Sequence, residues 1–392
     1  MTLLFFRIRT CDVTPAATIR LDRVSIGADP HCIADRRPPM ILNRLARRLV
    51  LALIPIAIST SLAAQENPRV QVTVVTDEAE AVLAIAEEAA AGAVPDSADW
   101  ARLLRAEGYV RLKEREAGMN RPIADSAFRA FVLSPELRGR LPALRRALDG
   151  WRSLDARAAA ARAFAYLPPE TVLRARIYPV IKPRTNSFVW DLRGNPAIFF
   201  YLDPGVAPAQ AENTLAHELH HVGFAQGCPA GSDENGGPAR ARGWLSGFGE
   251  GLAVLAAAGG PDVHPHASSP AAERSVWDRD VARWKDDFAA IERFLLDVAH
   301  GRAGTQQEET ARGFRFISTD SIPQGAFYTV GWMMGATIER EIGRPALVSV
   351  MCDRPAMLRA WNRAAAAVNR RDPAARVPLW SDELLNLVTP LR

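Results

Sequence analysis

Between residues 76 and 165 apolar side chains return every three or four positions, and from 172 to 202 the pattern changes to alternation. The first pattern is that of amphipathic helices, the second that of strands. Asp77-Glu78 opens a helix running to about Ala91, and Asp96-Ser97 caps another that carries Trp100, Leu103, Leu104 and Val110. Ile123, Phe128, Phe131 and Val132 mark a third, and residues 144–164 hold a fourth with room for a fifth. Nothing in this stretch has ligand spacing, and no repeat of fixed length runs through it. Pro168-Pro169 marks the change. Residues 172–181, 187–190 and 197–202 read as strands, the last two joined by the turn residues Arg193-Gly194-Asn195-Pro196.

After Asp203-Pro204-Gly205, Pro208 stands near the start of a helix with Leu215, Leu219 and Val222 as its apolar stripe. Residues 244–255 look like the start of a buried helix, and 271–300 like a long amphipathic helix or helix pair. The polar segment 301–319 reads as a loop over a cleft. Residues 326–340 form another helix, in which Gly331 and Gly335 let a neighbour approach closely. Residues 344–392 read as short closing helices. The fold class is therefore α+β and mainly helical, with a helical region at 64–167 followed by a domain at 168–392.

The start of the chain has a different character. Residues 40–48 are basic, 49–58 are apolar and 59–64 end in small residues, the layout of a secretory signal peptide. Pro55 interrupts an apolar run already short for a membrane span, so cleavage after Ala63 or Ala64 is favoured over an uncleaved anchor. Residues 1–39 lack periodicity, and Met40 would make a natural start, so they read as an over-extended start or a leader. The expectation is export, to the periplasm or outside the cell, with no stable membrane insertion after cleavage.

This changes the charge balance. The whole chain is formally +4, but residues 1–63 contain nine Arg and four Asp, leaving 4 − 5 = −1 for the rest. No basic block interleaved with aromatics remains, and nucleic acid is not the expected partner. Beyond the leader stand Cys228 and Cys352, which either pair in an oxidising compartment or remain buried thiols.

Three of the seven histidines fall within His217-Glu218-Leu219-His220-His221, an H-E-x-x-H pattern. On a helix, His217 and His221 share a face one turn apart, well away from the apolar stripe. Zinc takes imidazole nitrogens at about 2.0–2.1 Å, and a neighbouring carboxylate can take a proton from water. His220 lies about 80° from the midpoint of that pair and cannot share their ion. It lines a cleft, bonds a carboxylate or stands at the surface.

A catalytic zinc site needs a third protein ligand. Gly227 occupies the position where the H-E-x-x-H-x-x-G-x-x-H variant has its His, which excludes that variant. Asp233 and Glu234 lie in a Gly/Pro-rich loop, and His264 and His266 flank Pro265 in another. Glu250 lies inside an apolar stretch, where a carboxylate needs a partner. Zinc is one such partner and an Arg the other, and zinc is favoured.

His217-Glu218-Leu219-His220-His221 followed by Gly249-Glu250-Gly251-Leu252-Ala253 resembles the gluzincin zinc metallopeptidases, and is similar to bacterial families of predicted zinc-dependent peptidases. The resemblance covers about residues 170–350. It implies a zincin-like domain with a small edge-stranded sheet over the H-E-x-x-H helix and a helical lower part. By it, His217, His221 and Glu250 bind one Zn2+ per chain and Glu218 is the general base. Tyr328, near the start of a late helix, resembles the tyrosine that donates to the oxyanion, with a core or surface tyrosine as the alternative. The expected function is an exported zinc metallopeptidase acting on peptides or proteins. The alternatives are a secreted helical binding protein with a structural or inactive metal site, and a zinc hydrolase of non-peptide amides or esters.

Overall fold

A computed structural model describes residues 67–229, 236–319 and 321–389. The expected leader, the signal peptide at 40–63, and Asp233 and Glu234 lie outside the described residues. Among the described residues no helix is long and apolar enough to cross a membrane.

The chain opens with β1 (Val70–Val74), followed by α1 (Asp77–Ala90), α2 (Ser97–Arg105) and α3 (Glu107–Gly118). Asp96 caps α2 in a reciprocal box with Asp99. The single helix expected from Trp100 to Val110 breaks at Ala106, whose backbone turns extended. The Asp77 carboxylate accepts from the backbone N–H groups of Glu107 (2.5 Å) and Gly108 (3.2 Å), which caps the new start at α3. Then come α4 (Asp125–Val132), α5 (Pro135–Arg138), α6 (Leu141–Ser153) and α7 (Ala156–Phe164).

The strands β2 (Leu173–Val180), β3 (Phe188–Trp190) and β4 (Ala197–Tyr201) join β1 in a sheet of order β1-β2-β4-β3. β1, β2 and β4 are parallel, and β3 runs antiparallel at one edge. A parallel pair needs a long crossover, and here α1 to α7 supply it between β1 and β2. The period-2 alternation of β2 divides its side chains between two packing faces. Leu173, Ala175 and Ile177 join a core with the N-terminal helices and with Leu215, Leu219 and Val222. Tyr178 and Val180 pack with Leu112 and Phe199 in a smaller cluster. The compositional boundary at 167/168 is thus crossed by both the sheet and the core packed on it.

The second half is helical: α8 (Pro208–Gly227), α9 (Gly237–Trp244), α10 (Phe248–Ala258), α11 (Ala271–Val281) and α12 (Trp284–Ala299). They are followed by α13 (Gln306–Arg315), α14 (Ala326–Ile342), α15 (Arg344–Val350), α16 (Arg354–Arg371) and α17 (Asp382–Val388). Their core centres on Phe248, Phe288, Phe327, Trp361 and Trp380. The loop expected at 301–319 instead contains α13. A Thr305/Glu308 capping box starts it, and Arg312 ties it to Asp297 on α12 at 2.7 Å. The closing segment is not only short helices either, since α16 spans 18 residues. Cys228, at the end of α8, is disulfide-bonded to Cys352, with Cα atoms 5.2 Å apart.

Candidate metal centre

α8 starts on Pro208, whose missing N–H is harmless at the first helical position. Leu215, Leu219 and Val222 bury one face of α8 against the sheet. The opposite face meets α10, where Glu250 sits in the first turn. The His221 Nε2 lies 3.0 Å from the His217 Nε2 and 3.2 Å from the Glu250 Oε2, and His217 Nε2 to Glu250 Oε2 is 3.4 Å.

These three atoms form a nearly equilateral triangle, and protons alone satisfy it poorly. If each Nε2 carries a proton towards Glu250, neither has a lone pair left for the 3.0 Å edge between the two imidazoles. A single cation inside the triangle meets all three lone pairs at once. Two bonds of about 2.0–2.1 Å meeting at the tetrahedral angle span about 3.3 Å, which is the size of the observed edges. His217, His221 and Glu250 are also the group of His, Cys, Asp and Glu side chains able to hold a metal among the described residues. The donor set fits zinc.

The electrostatics favour positive charge at this point. Burial disfavours a charged His221, yet the Glu250 carboxylate outweighs it and lifts the imidazole to about 9. Burial would likewise raise Glu250, but the charge of His221 and hydrogen bonds from both imidazoles hold its carboxyl well below the usual range. Glu218 is 4 % exposed, and burial raises its pKa, partly offset by His217 and His221. The carboxylate is thus buried and close to both imidazoles.

Of the other candidates, His264 contacts Asp278 at 3.0 Å, and His266 contacts Gln324 at 2.7 Å and Ser269 at 3.3 Å, so neither joins the triangle. Tyr328 does reach the site. It is 1 % exposed on α14, its ring lies 7° from parallel to that of His217, and its side chain lies beside Glu250. His220 corrects the sequence reading. It is neither a surface residue nor bonded to a carboxylate, but lies 1 % exposed beside Phe224. Neither of its ring nitrogens makes a well-formed hydrogen bond, the Tyr166 carbonyl being only a weak neighbour. Burial, then the nearby His221 and His217, lower it to about 3, so it is a neutral core imidazole.

The sequence reading missed Gly251. A Cβ there would lie 2.1 Å from the Trp332 backbone nitrogen and 2.5 Å from the Tyr328 carbonyl oxygen, so α10 and α14 cross backbone to backbone next to Glu250. The E-G pair in the motif was its signal.

A family described as "Putative zinc dependent peptidase (DUF5700)" matches this chain over residues 100–370. No curated protein and no solved structure gives a match.

Proposed function

The chain belongs to this "putative zinc dependent peptidase" family, and we propose on that footing that it is an exported metallopeptidase with a gluzincin-type, zincin-like site. One observation carries the reading: His217, His221 and Glu250 converge at 3.0–3.4 Å beside the buried Glu218. His217, His221 and Glu250 would hold the zinc. When bound, zinc supplies Lewis acidity, polarising a substrate carbonyl and bringing the pKa of water towards neutrality.

The remaining chemistry belongs to Glu218. Its carboxylate takes a proton from the attacking water and passes it to the leaving amine nitrogen. A pKa raised by burial suits both halves of that task, because the group binds a proton more firmly than an exposed carboxylate would. Tyr328 would serve an oxyanion in competition with the neighbouring Glu250. His221, with 21 % of its side chain exposed, is the most open of the three ligands, so substrate approaches past it. β3 is an edge strand, and an extended peptide could add to it through main-chain hydrogen bonds. Export draws support from the Cys228–Cys352 disulfide, a bond that persists in oxidising compartments.

The test compares Glu218→Gln with the parent against a mixed peptide library, with zinc measured in both. The expected result is cleavage reduced by about 10²–10⁴-fold with zinc retained. Equal cleavage with zinc retained removes Glu218 from the mechanism. Parent activity on simple esters or amides, with none on peptides, moves the reading to a non-peptide hydrolase.

A further inference from the structure

Tyr328 is placed by an unusually close helix crossing. A Cβ at Gly331 would lie 2.6 Å from the Phe248 carbonyl oxygen, and one at Gly251 would meet the backbone of α14 at 2.1–2.5 Å. Any side chain at either position would push α10 and α14 apart. With glycine at both, the first turn of α10, which carries Glu250, lies directly against the turn of α14 that carries Tyr328. The phenol flanks one candidate ligand, its ring centroid 6.2 Å from that of His217, and its side chain lies beside another, Glu250.

We infer that Tyr328 is a positioning residue for the metal: its hydroxyl holds the Glu250 carboxylate in the orientation that meets His217 and His221, and the Gly251–Gly331 crossing sets its reach. This rests on the metallopeptidase reading of the same cluster. A carboxylate on a flexible side chain can turn about its last torsion, which is broad. A hydrogen bond from a rigid, buried phenol removes that freedom before the ion arrives. Partners of this kind typically change metal affinity by about 10–100-fold.

The test is Tyr328→Phe in the full chain, which removes the hydroxyl and keeps the ring. Zinc is titrated against a chelator of known affinity, and melting of the metal-free protein is followed alongside. Zinc binding should weaken about tenfold or more, with the metal-free melting temperature unchanged. In a Glu250→Gln background the same substitution should add nothing. Unchanged zinc affinity in Tyr328→Phe overturns the inference even if cleavage falls. So do losses that simply add in the double variant, or a loss of affinity accounted for by a less stable metal-free fold. A parent chain that binds no zinc overturns both the inference and the metallopeptidase reading, which separates the two failures.

Discussion

Among the described residues, two buried clusters of ionisable side chains are shifted in opposite directions, one by burial and one against it. Where β2 ends, Glu78 and Lys182 lie near Arg115 and Glu116, all nearly inaccessible to solvent. Burial, only partly offset by the Ile181 N–H, pushes Glu78 up to about 8, and burial brings Lys182 down to about 7. Both move towards neutrality, as desolvation alone dictates. Their neighbours are partnered: Arg115 pairs with Glu116 and packs 3.7 Å from the Phe188 ring, and Lys182 donates to the Arg184 carbonyl and to Asn186.

The His217–His221–Glu250 cluster moves the other way. There His221 rises and Glu250 falls, each towards its charged form, although burial opposes both. The first cluster has its own cations among its carboxylates. The second turns two imidazole nitrogens and a carboxylate oxygen towards one point, with Glu218 buried beside them. A buried group that has been neutralised or paired serves the fold, whereas one held charged and convergent is set up to receive something.

The sharpest way to break this contrast is a reciprocal pair of substitutions. His221→Ala should weaken zinc binding by more than about a hundredfold, beyond the loss typical of an outer-shell partner, while the metal-free melt changes little. Arg115→Ala should do the reverse, leaving one zinc per chain and costing about 1.5–3 kcal/mol, because Glu116 loses its buried partner and keeps only the more exposed Arg121. Zinc content and denaturant melts of both variants check this, and loss of zinc in Arg115→Ala would erase the distinction.

A smaller effect sharpens it. Because Glu78 has its folded pKa raised from 4.5 to about 8, the folded state binds the extra proton between those values. Its contribution is most favourable below pH 4.5 and is lost as pH rises towards 8. Glu78→Gln keeps an acceptor for the Ile181 N–H and removes that loss. Its melting temperature relative to the parent should therefore climb by roughly a few degrees between pH 5 and pH 8. A constant difference across that range would show that Glu78 is charged in the fold throughout.

The site was more legible in the sequence than the fold around it. His217, Glu218 and His221 are fixed by helical spacing, and Glu250 by the cost of a lone carboxylate among apolar residues. Both arguments are local and need only one helix each. β1 is different: Val-Gln-Val-Thr-Val alternates plainly, but its parallel partner begins at Leu173 and nothing nearby names it. For His220 the helical wheel gave only an angle away from the metal pair, while its burial comes from Phe224 and from the segment near Tyr166. Gly251 needed the second helix in view before its missing side chain had a reason. The Cys228–Cys352 bond likewise depends on a distance across the fold that spacing does not encode.

The central claim is that two imidazoles and one carboxylate grip a single zinc ion. Zinc-edge X-ray absorption on the purified protein, with total zinc measured on the same sample, addresses it directly. The account predicts one zinc per chain, with two imidazole nitrogens from His217 and His221 and a Glu250 oxygen in its first shell, and with the signal lost in His221→Ala. A chain without stoichiometric zinc, or a zinc shell containing sulfur, would contradict it.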